Sequence, residues 1–317
     1  ESFFEKEMKS ITAELVRKNI AMRSEGALIV PLDLDGAGLP PAMVEKSDGA
    51  STYLTRDLAL LRYRLKKYKP EKILHVIGNE QSLHMAQVFA TARLMEFYKN
   101  QESVHVKYGL VLGESGAKFS TREGETVSAM EVIEKAVVLA EKVVEEKNKG
   151  LSTKEKKAVA EAVAIGALKY ANIKENRNSD IVFDWTKMLD FNGESAPYLQ
   201  YTYARLQSIQ RKAGAAAGKK ENNAAGAGLA DAALKDIALL ADELPLAIVR
   251  KLIELPRVVA RTAETYAPNV LALYLYELAA LANQFYEITP IMKDADMHRR
   301  NAHLILIGAI AVSLKSG

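Results

Sequence analysis

The sequence predicts an α/β core followed by an all-α region, and three observations carry that prediction. In the first half, short apolar runs alternate with amphipathic helical patterns in the order β-α-β-α-β, which argues for a parallel sheet with crossover helices. After Pro197 the periodicity is helical to the end of the chain and no strand pattern is visible, so a helical bundle is expected there. Charge divides at the same place. The first 195 residues balance acid and base, and the whole excess of +3 falls in residues 196–317. The expected domains are therefore 1–195 and 196–317.

The elements follow in order. Phe4, Met8, Ile11 and Leu15 fall at helical spacing and open the chain inside an amphipathic helix. Residues 27–32 and 42–46 read as strands of the sheet, the second followed by a turn at Ser47-Asp48-Gly49. Residues 52–54 look extended. Thr55 is placed to cap a helix over 56–68, which Pro70 closes. Residues 73–77 read as a strand, then a helix runs to about Tyr98, and 104–111 is a further strand. Two helices follow, over 127–147 and over 151–170, the second capped by Ser152 or Thr153. The lone Trp185 suits a core or interface anchor. Pro197 opens a helix over 198–212, and the Ala/Gly/Asn/Lys-rich stretch 213–228 reads as a flexible loop. Helical segments are expected to Leu244, over 245–254, 256–266 and 268–288, and from 294 to 314.

Composition narrows the function. At 317 residues, with 49% hydrophobic and 26% charged residues, the chain has the make-up of a globular protein with a substantial core. The absence of cysteine excludes disulfides and thiolate metal sites. The histidines at 75, 84, 105, 298 and 303 form no zinc-type pair, so no metal site is expected. No apolar run approaches the ~18 residues a membrane helix needs. Gly113-x-x-Gly116-x-Lys118 is not a P-loop, because the glycine spacing is too short and Phe119 follows the lysine. No G-x-G-x-x-G follows a strand.

Ligands of parallel sheets bind at the carboxyl ends of the strands, and three stretches stand there. The first is Tyr53-Leu54-Thr55-Arg56-Asp57. Asp57 reads either as an acid complementing the helix dipole or as an anion facing a cationic substrate, with Tyr53 as an aromatic wall. The second is Gly78-Asn79-Glu80-Gln81-Ser82-Leu83-His84, where Gln81 and His84 share a helix face. The third is Lys118-Phe119-Ser120-Thr121-Arg122-Glu123-Gly124, after the glycine-containing loop 113–116. Its two cations and two hydroxyls within five residues suit either a solvated basic loop or a site for polyphosphate charge. In the second half, Tyr198, Tyr201 and Arg205 lie within about 60° of one another on a helix, beside the apolar stripe Leu199, Leu206 and Ile209. Such a set either packs as surface tyrosines or stacks on unpaired bases. Arg250, Arg257 and Arg261 read as solvated, with phosphate contact as the other role.

In order and spacing these motifs resemble arginyl-tRNA synthetase, a class I aminoacyl-tRNA synthetase. The resemblance continues through Phe183-Asp184-Trp185, Asp190-Phe191, Tyr198-Leu199-Gln200-Tyr201-x-x-Ala204-Arg205, Tyr274-Leu275-Tyr276-Glu277-Leu278-Ala279 and Phe285-Tyr286. It covers nearly the whole chain. The loop at Lys118 resembles a Ser-Thr-Arg variant of the family's Lys-Met-Ser-Lys-Ser signature. The resemblance implies the second part of a class I nucleotide-binding core up to 195, then a helical anticodon-binding domain. It implies arginine–tRNA ligase activity: ATP, with Mg²⁺ as its substrate complex, activates L-arginine, which is then transferred to tRNA(Arg). Tyr53, Asp57 and Gln81 would hold arginine. His84 would lie near the adenosine pocket. Lys118, Ser120 and Arg122 would act on the ATP phosphates, and Tyr198, Tyr201 and Arg205 on the anticodon. No tightly bound cofactor is implied, and a cytoplasmic monomer is expected.

The family's second signature, His-x-Gly-His, is missing from these residues. The expectation is therefore a piece of a synthetase cut at both ends and inactive alone. Two alternatives stay open: a non-catalytic tRNA-binding fragment of such an enzyme, or another class I synthetase such as the cysteinyl type. The set Tyr53, Asp57 and Gln81, and the lack of cysteine ligands for zinc, speak against the cysteinyl type.

Overall fold

In a computed structural model the chain is described over residues 2–32, 38–113, 128–147, 150–182, 184–216 and 237–317. It forms two compact units, Glu1–Leu110 and Val111–Gly317.

The first unit opens with α1 (Glu5–Arg17), which buries Met8, Ile11 and Leu15 as the spacing predicts. Strands β1 (Met22–Ser24), β2 (Ala27–Val30) and β3 (Ala42–Glu45) follow as an antiparallel meander. This corrects the expectation that 27–32 and 42–46 belong to a parallel sheet. The reason is local. Glu25 and Gly26 both take positive φ, 49° and 82°, and form a two-residue hairpin connection. A parallel pair needs a crossover of a dozen or more residues, which is not available there.

Helix α2 (Tyr53–Tyr68) comes next, and here too the local reading is corrected. Residues 53 and 54 are helical rather than extended, and Thr52 is the N-cap. Thr55 is fully buried, and its hydroxyl donates to the Val44 carbonyl at 2.6 Å instead of capping. Thr52 Oγ1 donates to Met43 O at 2.6 Å, so two hydroxyls pin the start of α2 to β3. Thr55→Val should remove the shortest of the donors to that carbonyl, which keeps the Thr52 N–H at 3.2 Å, and lower unfolding stability by about 0.5–1.5 kcal/mol. A urea melt that leaves the midpoint within experimental error of wild type would show that the pin is dispensable.

The parallel part of the prediction holds for β4 (Lys72–Gly78) and β5 (Glu102–Tyr108), which pair in register from Lys72↔Glu102 to Gly78↔Tyr108. A short 3₁₀ turn at Asn79–Gln81 leads from β4 into α3 (Ser82–Leu94). Ile73 and Ile77 on one face of β4 join the core of Leu58, Leu61, Met85 and Val88. Each fully buried side chain of this kind contributes about 1.5–3 kcal/mol. Leu74 and Val76 on the other face are exposed, Val76 by 65%. Buried Arg62 ties α2 to α1 through Glu7 at 2.6 Å and Glu14 at 2.8 Å.

The second unit begins with β6 (Val111–Leu112), parallel to β7 (Ile181–Val182). The strand expected over 104–111 is thus two strands in two sheets. Helices α4 (Ala129–Lys147) and α5 (Thr153–Ile173) pack together through Ala136, Ala140, Val144, Ala160 and Ala164. Ser152 caps α5 in a reciprocal box with Glu155. Trp185 opens the short α6 (Trp185–Met188) and packs against this cluster, with Lys135 Nζ 4.6 Å above its ring.

The bundle consists of α7 (Ala196–Ala216), α8 (Glu243–Thr265), α9 (Pro268–Ile288) and α10 (Met297–Ser316). Its core joins Leu206, Ile248, Leu278, Phe285, Ile307 and Ile310. The segments 245–254 and 256–266 are a single helix that carries Pro256 inside it. Proline removes one backbone hydrogen bond. Leu252, Leu255 and Val258 pack on the bundle core on both sides of the missing bond and carry the helix through. Helix α5 packs on this bundle, and the buried Tyr170 hydroxyl donates to Ala272 O at 3.2 Å. No strand is found beyond residue 200 among the described residues. The stretch 213–228 expected as a loop is helical to Ala216, and 217–228 lies outside the described residues. No helix among the described residues is long and apolar enough to cross a membrane.

Candidate functional site

The first unit brings two of the expected site residues into contact. Asp57 lies in the second turn of α2 and His84 in the first turn of α3. His84 Nε2 meets Asp57 Oδ2 at 2.5 Å. The carboxylate can only accept, so the ring nitrogen donates. Because α2 starts at Tyr53, Asp57 is its fifth residue, past the first turn within which the dipole effect is concentrated. A simple charge–dipole role for Asp57 therefore weakens. Its side chain stays 41% exposed, open to an incoming group.

Tyr53 stands one turn before Asp57 on the same face of α2. It is 73% exposed, with the Arg56 guanidinium 5.2 Å from its ring centre. Gln81 ends the turn that follows the carboxyl end of β4 and is exposed, one helical turn before His84. Gly78 at that carboxyl end is approached closely by the Glu80 side chain, which a side chain at 78 would displace. A Cβ there would come within 2.6 Å of Glu80 Oε2. Tyr53, Asp57, Gln81 and His84 thus come from the start of α2 and from the β4–α3 junction.

Two further histidines lie beneath this surface. His75 and His105 are register partners in β4 and β5. His105 Nε2 donates to Ile77 O at 3.0 Å. The His75 ring lies edge-on to Phe89 at 5.1 Å, and burial pushes its pKa down, with Arg64 and His105 adding to the effect and Asp57 opposing it. The sequence reading gave neither histidine a role. Lys118, Ser120 and Arg122 lie outside the described residues, as does Phe183.

In the second unit the expected trio is divided. Arg205 is clasped between Tyr201 and Tyr286, its guanidinium carbon 4.8 Å from each ring centre. It donates to Asn283 Oδ1 at 3.3 Å and to the Tyr201 hydroxyl at 3.2 Å. Asn283 in turn donates to Thr202 Oγ1 at 2.7 Å. Both tyrosine rings remain exposed. Tyr198 turns instead to Tyr276, with ring centres 5.5 Å apart. Asn283 and Tyr286 escaped the sequence reading as site residues, although they are spaced along α9 so as to share a face. Leu206 and Ile209 are buried as the stripe required. Arg250, Arg257 and Arg261 are exposed on α8.

A parallel β-α-β unit with polar residues at its carboxyl ends, joined in one chain to an all-helical domain with an arginine–tyrosine surface, is the build of a class I aminoacyl-tRNA synthetase. Residues 1–185 match the family model described as tRNA synthetases class I (R), catalytic domain, and residues 199–317 match the DALR anticodon binding domain. The chain belongs to the arginyl-tRNA synthetase family. An arginine–tRNA ligase of Lactococcus lactis subsp. cremoris (strain MG1363) is 38% identical over 316 residues, 99% of this chain and 52% of the relative. One from Cellvibrio japonicus is 37% identical over 322 residues, 100% of this chain and 53% of the relative. The chain therefore spans about half the length of the curated relatives it matches. The solved arginyl-tRNA synthetase of Thermus thermophilus superposes with a TM-score of 0.81 at 26% identity, covering 97% of this chain and 55% of that one. The Plasmodium falciparum enzyme, with a TM-score of 0.78 at 21% identity over 99% of this chain and 51% of that one, shares the fold.

Proposed function

We propose that this chain supplies the arginine-selecting and anticodon-reading parts of an arginine–tRNA ligase. The observation that carries the reading is the Asp57 carboxylate. It is 41% exposed, in contact with His84 and one helical turn from Tyr53, outside the first turn of its helix, in a chain 38% identical over nearly all its length to an arginine–tRNA ligase. A carboxylate and a guanidinium make a forked, charge-assisted pair.

In this reading Tyr53 and Gln81 flank the substrate side chain, and Asp57 takes its charge. The arginine carboxylate attacks the α-phosphate of ATP. A carboxylate oxygen–phosphorus bond forms, the bond from that phosphorus to the bridging oxygen breaks, and pyrophosphate leaves. Lys118, Ser120 and Arg122 stabilise the charge on the phosphates, and positioning replaces covalent catalysis. Mg²⁺ arrives with ATP as part of that substrate. A terminal hydroxyl of tRNA(Arg) then displaces AMP from the arginyl-adenylate. Tyr198, Tyr201 and Arg205 meet the anticodon.

We place the functional boundary near residue 195, supported by family matches that end at 185 and resume at 199. The corresponding setting is a cytoplasmic monomer. Arginine-dependent ATP–pyrophosphate exchange, measured on the protein as its gene encodes it, tests the proposal. Exchange is expected with arginine and not with lysine or cysteine. Exchange driven equally by those amino acids overturns it, and preference for cysteine would favour the cysteinyl type.

A further inference from the structure

We infer that His84 is a positioning residue for arginine selection: it holds the Asp57 carboxylate in the orientation that receives the guanidinium. The inference rests on the arginine–tRNA ligase reading and gives His84 a different task from the adenosine contact that the sequence resemblance implied.

The geometry supports this in three ways. First, the contact is short and directional, 2.5 Å from His84 Nε2 to Asp57 Oδ2. Second, the two side chains come from different elements, α2 and α3. Leu54, Thr55 and Leu58 are buried under α2, and Met85, Val88 and Phe89 under α3, so both ends of the contact sit on fixed backbone. Without His84 a 41% exposed aspartate on a helix surface would sample several rotamers. Third, the contact leaves the carboxylate usable. A carboxylate offers about four lone-pair sites on its two oxygens, and His84 takes one. A forked guanidinium can still reach both oxygens. The His84 ring is 25% exposed against 41% for Asp57, so of the two side chains the carboxylate is the more open to an incoming group.

This arrangement distinguishes three roles for the histidine. A positioning residue affects arginine alone. An adenosine contact affects ATP. A purely structural contact affects stability and both substrates together. Glutamine can present its amide nitrogen near the place of His84 Nε2 and donate the same hydrogen bond, so it should preserve the first role.

The test compares wild type, His84→Ala and His84→Gln in arginine-dependent ATP–pyrophosphate exchange, with KM for arginine and for ATP measured separately and thermal midpoints recorded. His84→Ala should raise the arginine KM about tenfold, the lower end for a hydrogen bond to a charged group because the pair is partly solvated. The ATP KM should stay within about twofold by the same reasoning, and His84→Gln should recover most of the arginine loss. An unchanged arginine KM in His84→Ala overturns the inference. So does a rise confined to the ATP KM, or a joint rise of both with a lower thermal midpoint and no rescue by glutamine. Failure of the wild type to show arginine-dependent exchange is a separate result and overturns the ligase reading itself.

Discussion

Asp57→Asn is expected to abolish most arginine activation while leaving ATP binding nearly intact. The substitution keeps the shape of the side chain and removes the charge that faces the guanidinium in the proposed site. It also turns an acceptor of His84, and in the proposed site of arginine, into a group with a competing amide donor. Removing one partner of a desolvated ion pair costs about 3–5 kcal/mol, roughly two to four orders of magnitude in the arginine kcat/KM. Asp57 is half open to solvent before substrate arrives, so the loss belongs to the complex rather than to the fold, and the thermal midpoint should move little. Steady-state exchange kinetics with arginine and ATP varied in turn decide this. Normal arginine dependence in the variant would end the assignment of Asp57.

Tyr201→Ala and Arg205→Ala should each weaken binding of tRNA(Arg) by about 1–3 kcal/mol, the range for a lost stacking or base contact. The structure sharpens the reason. Arg205 already contacts Asn283 and the rings of Tyr201 and Tyr286 before any RNA arrives, which lowers the ordering cost of binding. The two losses should shrink on a tRNA with a non-arginine anticodon, because the contacts they remove are then already missing. Binding as a whole should weaken with added salt. Fluorescence titrations of each variant and wild type against both tRNAs make the comparison. Equal losses on the two tRNAs would mean that Tyr201 and Arg205 support the fold or touch phosphate only.

Much of this fold was legible because the signals are local. Helical spacing of Met8, Ile11 and Leu15 gives a buried face wherever the helix packs. A cap at Ser152 or Thr153 was readable from neighbours alone, and the structure selects Ser152, in a box with Glu155. The run 73–77 reads as a strand of a β-α-β unit, and β4 pairs with β5 in parallel as that order demands. The failures came where a residue's partner is distant. Thr55 looks like a cap from its neighbours, yet its hydroxyl goes to Val44, eleven residues back. Pro256 looks like a helix boundary, but packing on both sides of it keeps α8 continuous. Strands β2 and β3 have the hydrophobicity of parallel strands, yet each pairs antiparallel with its neighbour, β2 with β1 across a two-residue turn and β3 with β2.

The same division runs through the candidate site. The sequence alone determined the residue types, their order and the family, since Tyr53, Asp57, Gln81 and His84 are recognisable by type and spacing before any coordinates. It also determined that α7 carries Tyr198, Tyr201 and Arg205 on one side, because helix geometry relates positions three, four and seven apart. Only the tertiary structure decided which of these groups touch. Asp57 and His84 are 27 residues apart and meet through the packing of α2 and α3. Tyr201 and Arg205 join Tyr286 of α9, while Tyr198 leaves them for Tyr276. Backbone periodicity fixes the direction a side chain takes from its own element. What it meets depends on how two elements pack, and that packing is set by the buried residues of both at once.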